Sequence, residues 1–225
     1  MCSIDTLFSN NRHWSRDRLS RDAGFFRRLA LQQSPKYLWV GCSDSRVPAN
    51  EIIGLQPGEV FVHRNVANLV VHSDMNCQSV LQYAVDVLRV EQIIVVGHYG
   101  CGGIQAVLDG NMEGMSANWL GHVEDVANKH VALLDVTGDA EARSNLLCEL
   151  NVIEQVFNVC RTSTLKAAWH RRQKIEVHGL IYGLRDGLLR RIVDSASSLQ
   201  SCDAGYRNAI AGCAAARSRA PTCQH

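Results

Sequence analysis

Tyr37-Leu-Trp-Val-Gly-Cys42-Ser-Asp44-Ser-Arg46 and Ile93-Ile-Val-Val-Gly97-His98-Tyr-Gly-Cys101-Gly-Gly103 decide the fold of this chain. Each opens on a short, uniformly apolar run and closes on a cluster of glycine and polar residues. An apolar run of that length without alternation suits a strand buried on both faces, as in a parallel sheet. Glu59-Val-Phe-Val-His63 and Lys174-Ile-Glu-Val-His-Gly-Leu-Ile-Tyr182 read as two further strands. Helical patterns fall between them. One starts at Asn76 as N-cap, with Val80, Leu81, Ala84, Val87 and Leu88 on one face; others span about 103–109, 116–135 and 141–170. Strands alternating with helices predict an α/β fold: a mainly parallel central sheet of four to five strands flanked by helices.

Outward from this centre the pattern weakens. Residues 5–32 carry Leu7, Trp14, Leu19, Phe25, Phe26, Leu29 and Leu31 at roughly helical spacing. They predict a helical arm over about 1–32 that packs on a partner subunit. Residues 1–200 are expected to form a single domain. The segment 201–225, rich in Ala, Ser and Arg, is expected to be a tail, disordered or packed on a neighbouring subunit.

Composition narrows the function. The chain has 225 residues and a formal net charge of +1, which favours neither nucleic acid nor an anionic membrane surface. No run approaches the ~20 apolar residues that span a bilayer. No basic region followed by an apolar stretch opens the sequence, so a cytoplasmic location is expected. The nine cysteines, an odd count in a chain without a secretory signal, predict reduced thiols rather than a disulfide framework. Cys77, Cys148 and Cys160 lie in helical patterns and read as small core residues. His63 and His178 lie in strands and read as structural.

The two glycine clusters bring chemistry. Ligands of open α/β sheets bind beyond the carboxyl ends of the strands. If the strands ending at Cys42 and Gly97 are neighbours, Cys42, Asp44, His98 and Cys101 converge. Two thiolates, an imidazole and a carboxylate form a tetrahedral set for Zn²⁺ and suit Mg²⁺ or Ca²⁺ poorly. The site is structural if Asp44 stays ligated. It is catalytic if Asp44 releases and water enters, with Arg46 as the partner that receives the carboxylate. Gly100-Cys-Gly-Gly-Ile-Gln105 lacks the last glycine of a dinucleotide fingerprint, and there is no Cys-x-x-Cys redox motif.

At these residues the sequence resembles the β-class carbonic anhydrases, in their bacterial-type, bicarbonate-regulated branch. The resemblance rests on Cys42-Ser-Asp-Ser-Arg46, Val62-His-Arg-Asn-Val-Ala-Asn68, Gln82-Tyr-Ala-Val85, Gly97-His-Tyr-Gly-Cys-Gly-Gly103 and Leu147-Cys-Glu-Leu-Asn-Val152. It implies a zinc enzyme, one Zn²⁺ per subunit, that reversibly hydrates carbon dioxide to bicarbonate and a proton. It implies Cys42, His98 and Cys101 as ligands, Asp44 and Arg46 as a catalytic pair, and self-association as a dimer or tetramer. It further implies a substrate pocket from Gln33, Phe61, Val66, Leu81, Tyr83 and Gly102, partly supplied across a dimer. It also implies a noncatalytic bicarbonate pocket at Trp39, Gly41, Arg64 and Tyr182 that drives Asp44 onto the metal. Two other readings stay open: a carbon disulfide or carbonyl sulfide hydrolase on the same scaffold, and a non-catalytic zinc-stabilised binding protein.

Overall fold

The computed structural model describes residues 3–31 and 34–218. In chain order the elements are α1 (Ile4–Arg21), α2 (Phe25–Leu31), β1 (Tyr37–Cys42), α3 (Ala49–Ile52), β2 (Val60–Asn65), α4 (Met75–Gln82) and β3 (Gln92–His98). There follow α5 (Gly102–Leu108), α6 (Gly114–Lys129), α7 (Val131–Asp135), α8 (Ala140–Arg161), α9 (Ser163–His170), β4 (Glu176–Tyr182), β5 (Leu189–Ala196) and α10 (Leu199–Ser218).

The strands form one sheet in the order β2-β1-β3-β4-β5. The first four are parallel, and β5 runs antiparallel to β4. β1 and β3 are neighbours, with Gly41 opposite Val96, so the two quoted glycine clusters leave the same edge of the sheet side by side. The mainly parallel sheet expected from the apolar runs is present.

The main core lies on the sheet face that carries Leu38, Val40 and Cys42, and α8 is its centrepiece. This helix buries thirteen of its residues, among them Leu147, Val152, Ile153 and Val156. It lies so close across β3 that a Cβ at Gly97 would sit 2.6 Å from a Val152 methyl. Glycine there permits this close approach of α8 to β3 just before the turn at 98–101. The opposite face carries a smaller cluster of Trp39, Val47, Ala49, Ile94 and Val96.

Several boundaries differ from expectation for local reasons. The cap of α4 is Asp74, not Asn76: the Asp74 carboxylate accepts the Asn76 N–H at 3.0 Å. The stretch 116–135 breaks at His130 into α6 and α7. The stretch 141–170 breaks at Thr162, which caps α9 by accepting the Leu165 N–H. The tail expected after residue 200 is instead helical to Ser218, and α10 packs on α8 and β5 with Cys202 and Cys213 buried. The rest of that tail lies outside the described residues. No helix among the described residues is long and apolar enough to cross a membrane.

Candidate metal centre and its acidic neighbour

Cys42 ends β1, His98 ends β3, and Cys101 stands at the first turn of α5. All three are buried, and their donor atoms lie within 4.8 Å of one another. The two sulfurs are 3.9 Å apart. The His98 ring is fixed by its Nδ1, 3.0 Å from the Tyr99 carbonyl. A carbonyl only accepts, so Nδ1 carries the proton and Nε2 keeps its lone pair. That Nε2 is buried and has no hydrogen-bond partner among the described residues. An orphaned imidazole lone pair beside two soft sulfurs fits a zinc ion, which would satisfy all three.

Electrostatics point the same way. The Cys42 thiol is held well below its ordinary range. The contact with the Cys101 thiol is the largest cause; the backbone N–H groups of Asp44 and Ala67 add to this, against the opposing effect of burial. Cys101, the other thiol of that pair, is pushed up by the same contact and by burial.

Asp44 stands at the rim of this group, its carboxylate 3.8 Å from His98 Nε2. It is not ligand-like here, because Arg46 holds it in a fork. Arg46 Nε donates to Oδ1 at 3.0 Å, Nη2 donates to Oδ2 at 2.6 Å, and the Arg46 backbone N–H donates to Oδ1 at 2.9 Å. The guanidinium hydrogen bond keeps the Asp44 carboxyl well below the usual carboxylate range. Arg46 Nη2 also reaches the Gly100 carbonyl at 3.3 Å, tying the pair to the turn that carries Cys101. Sequence spacing did not disclose that tie, nor the Tyr99 hydroxyl that donates to Glu149 at 2.6 Å behind the turn.

Arg64 lies opposite Gly41 in the register. Its Nε donates to the Cys42 carbonyl at 2.8 Å, and its Nη2 donates to the Asp44 carbonyl. It therefore grips the backbone of the loop that positions Asp44. Trp39 and Tyr182 belong to one apolar cluster on the far face of the sheet, and a Cβ at Gly41 would collide with the Trp39 indole.

The remaining expected residues divide. Gly102 follows Cys101 directly. A Cβ on Gly103 would sit 3.1 Å from the Val66 side chain, so Val66 also borders the centre. Phe61 and Tyr83 pair with each other, ring centroids 5.9 Å apart. Phe61 faces Leu38, and Asn65 faces Cys42. At about 3.3 Å per residue this leaves Phe61 about 13 Å short of the ligands in the same chain. Leu81 is buried beside Val40 and His63. Gln33 lies outside the described residues.

A second group, His63, Asp74 and Cys77, also brings donor atoms within 4.8 Å. Its members are already occupied. Asp74 caps α4, the His63 Nε2 faces the Asn65 amide at 3.3 Å, and burial pushes the Cys77 thiol up to about 12. It is a satisfied corner of the core.

The sequence profile of the family described as carbonic anhydrase matches residues 37–189. A carbonic anhydrase of Emericella nidulans is 47% identical over 186 residues, covering 83% of this chain and 82% of the relative. A carbonic anhydrase of Candida albicans is 38% identical, covering 82% of this chain and 66% of the relative. Among solved structures, a Coccomyxa β-carbonic anhydrase in complex with acetazolamide superposes with a TM-score of 0.86 at 36% identity, covering 98% of this chain and 100% of that one. A β-carbonic anhydrase of Sordaria macrospora, described as tetrameric, gives 0.82 at 36% identity, covering 86% of this chain and 98% of that one.

Proposed function

This chain belongs to the β-class carbonic anhydrases, and from that premise we propose how its own residues hydrate carbon dioxide. The observation that carries the reading is the buried Cys42–His98–Cys101 donor set with its orphaned Nε2, beside a carboxylate that Arg46 holds away from it. Zinc held by those three residues would supply a water that ionises near neutral pH. Asp44 accepts a hydrogen bond from the attacking water and so fixes which lone pair faces carbon dioxide. Arg46 keeps that carboxylate charged and turned outward. Val66 and the start of α5 wall the approach on one side. The Phe61–Tyr83 face lies too far back in its own chain, so the reading assigns that wall to a second copy. The tetrameric Sordaria relative is consistent with an assembly of this kind.

The open position of Asp44 also has an alternative. If the carboxylate swung from Arg46 to the metal, it would exclude water and stop turnover. Arg64 is the control point of this reading. It spends its donors on the Cys42 and Asp44 carbonyls, and an anion such as bicarbonate would compete for them. Binding beside Trp39, Gly41 and Tyr182 would thereby loosen the loop and favour the closed form. Such a shift requires that the anion bind the closed form more tightly than the open one.

Metal analysis joined to activity tests the site. Wild-type protein is expected to hold one zinc per chain and to hydrate carbon dioxide. Cys42→Ser is expected to lose the metal and the activity together. Full activity in zinc-free protein would refute the assignment. The alternative substrates carbon disulfide and carbonyl sulfide are not favoured by any feature of the site.

A further inference from the structure

Positive charge gathers at the edge of the sheet opposite the candidate metal centre. No Asp or Glu stands between Glu154 and Glu176, a stretch that holds Arg161, Lys166, Arg171, Arg172 and Lys174. Its last three cations lie between α9 and β4, at the edge where the parallel strands begin. Arg89 joins them from the turn that leads into β3. Arg89, Arg171, Arg172 and Lys174 are all exposed. The metal ligands lie at the other end of the strands.

Two of these arginines occupy backbone positions that suit glycine better. Helix α9 closes with Arg172 left-handed at φ 59°. The Arg172 N–H donates to the Trp169 carbonyl and the Gln173 N–H donates to the Ala168 carbonyl, each at 2.9 Å. The helical turn Tyr83–Val87 closes in the same way, with Arg89 at φ 57° and the Val90 N–H donating to the Ala84 carbonyl at 3.1 Å. Glycine or asparagine is usual in such a helix stop, because a Cβ is strained there. Strain of this kind concentrates where the side chain has a use.

Gln173 draws the charge together. Its Oε1 accepts Arg89 Nη1 at 3.0 Å, Arg171 Nε at 3.0 Å and Arg171 Nη2 at 2.7 Å. Its Nε2 donates to the Val85 carbonyl at 2.9 Å, which fixes the amide. Two guanidinium groups thus converge on one neutral oxygen. They repel each other, and an anionic oxygen would hold them more strongly than an amide does. Asp86 supplies one carboxylate and spends it on Arg171. Among the described residues no carboxylate pairs with Arg89, Arg172 or Lys174. The other acids at this edge are engaged: Glu91 lies 3.9 Å from Lys36 and Glu176 lies 3.6 Å from His178.

We propose that this edge is a binding surface for a phosphate group, received where Arg89 and Arg171 converge, with Arg172 and Lys174 supplying further charge. Phosphate matches guanidinium forks in shape and, as a dianion, in charge. The surface is not built for base stacking: Trp169 of α9 packs against the core and its indole N–H donates to the Ile175 carbonyl at 3.0 Å.

Titration of inorganic phosphate into the protein, at fixed pH and with chloride holding the ionic strength constant, tests the proposal. Wild-type protein is expected to bind phosphate saturably. The double variant Arg89→Gly/Arg172→Gly is expected to bind about tenfold more weakly than Arg12→Ala/Arg16→Ala, which removes the same charge from α1. In phosphate-free buffer the glycine variant is expected to melt no lower than wild type, because glycine enters the left-handed region freely. Its hydration of carbon dioxide is expected to be unchanged. Sedimentation with phosphatidylcholine vesicles, with and without phosphatidic acid, identifies the source of the phosphate. Capture that requires phosphatidic acid and is lost in the glycine variant would assign the group to a lipid headgroup; phosphate binding without capture would assign it to a soluble compound. Absence of saturable binding in wild type, or an equal loss in the α1 control, would overturn the proposal. A lower melting temperature with unchanged phosphate binding would also overturn it, and would assign both arginines to the helix dipole.

Discussion

Asp44 is fixed by three donors from one neighbour, Arg46, and this decides its protonation. Its carboxyl pKa is depressed, so the group stays charged through the neutral range and loses its charge only in strong acid. A rise of activity between about pH 6.5 and 9 therefore belongs to the attacking water rather than to Asp44. Arg64 acts on the same loop through backbone carbonyls. Arg64→Ala is expected to turn a steep, bicarbonate-sensitive pH profile into a simple single-proton one, read by stopped-flow hydration. An unchanged steep profile in that variant would remove the switch. The convergence of Cys42, His98 and Cys101 and the pairing of Asp44 with Arg46 were legible in the sequence because two short clusters at strand ends carry them. The contact of Asn151 with the Ala67 carbonyl was not: its two residues lie 84 positions apart, so only folding brings them together.

At the scale of elements, the four parallel strands were legible because each is a nearly continuous apolar run. β5 was not: Arg190, Arg191 and Asp194 interrupt it, as an edge strand allows. α10 was missed because its small residues, such as Ala209, Gly212 and Cys213, give a weak apolar stripe. A buried carboxylate ties these outer helices to the core. Glu154 of α8 receives Lys129 at 2.8 Å, His130 at 2.7 Å and the Tyr206 hydroxyl of α10 at 2.6 Å. Burial alone would raise its pKa, but these contacts outweigh burial and lower it from 4.5 to about 2. A depressed carboxyl stabilises the fold above the unfolded-state value. That contribution is lost as pH falls from about 4.5 toward about 2, and at neutral pH it amounts to about 3 kcal/mol. Glu154→Gln is expected to lower the urea midpoint at pH 7 and to flatten the acid limb of the stability curve. Equal acid sensitivity in both proteins would assign that limb to other groups.

At the scale of the whole molecule, the arm is the element that the chain's own body leaves uncovered. α1 spans 18 residues and buries none of them, while Leu7, Phe8, Trp14 and Leu19 are exposed. Trp14 of α1 packs edge-on against Phe26 and Phe25 of α2, with ring centroids 5.6 Å and 6.5 Å apart. The proposed function places a second copy on this self-braced apolar arm, where burial would stabilise it and the copy would also supply the Phe61–Tyr83 wall. Deleting residues 1–31 is expected to shift the sedimentation coefficient toward a smaller species and to reduce hydration activity in parallel. An unchanged oligomer would contradict the role given to the arm.

The central claim is that this site binds zinc and hydrates carbon dioxide while Asp44 rests on Arg46. Stopped-flow hydration of carbon dioxide by zinc-verified protein, from about pH 6.5 to about pH 9 with and without bicarbonate, tests it most directly. The account predicts activity that rises with pH and falls when bicarbonate is added. Absence of hydration at every pH, with one zinc bound per chain, would contradict it.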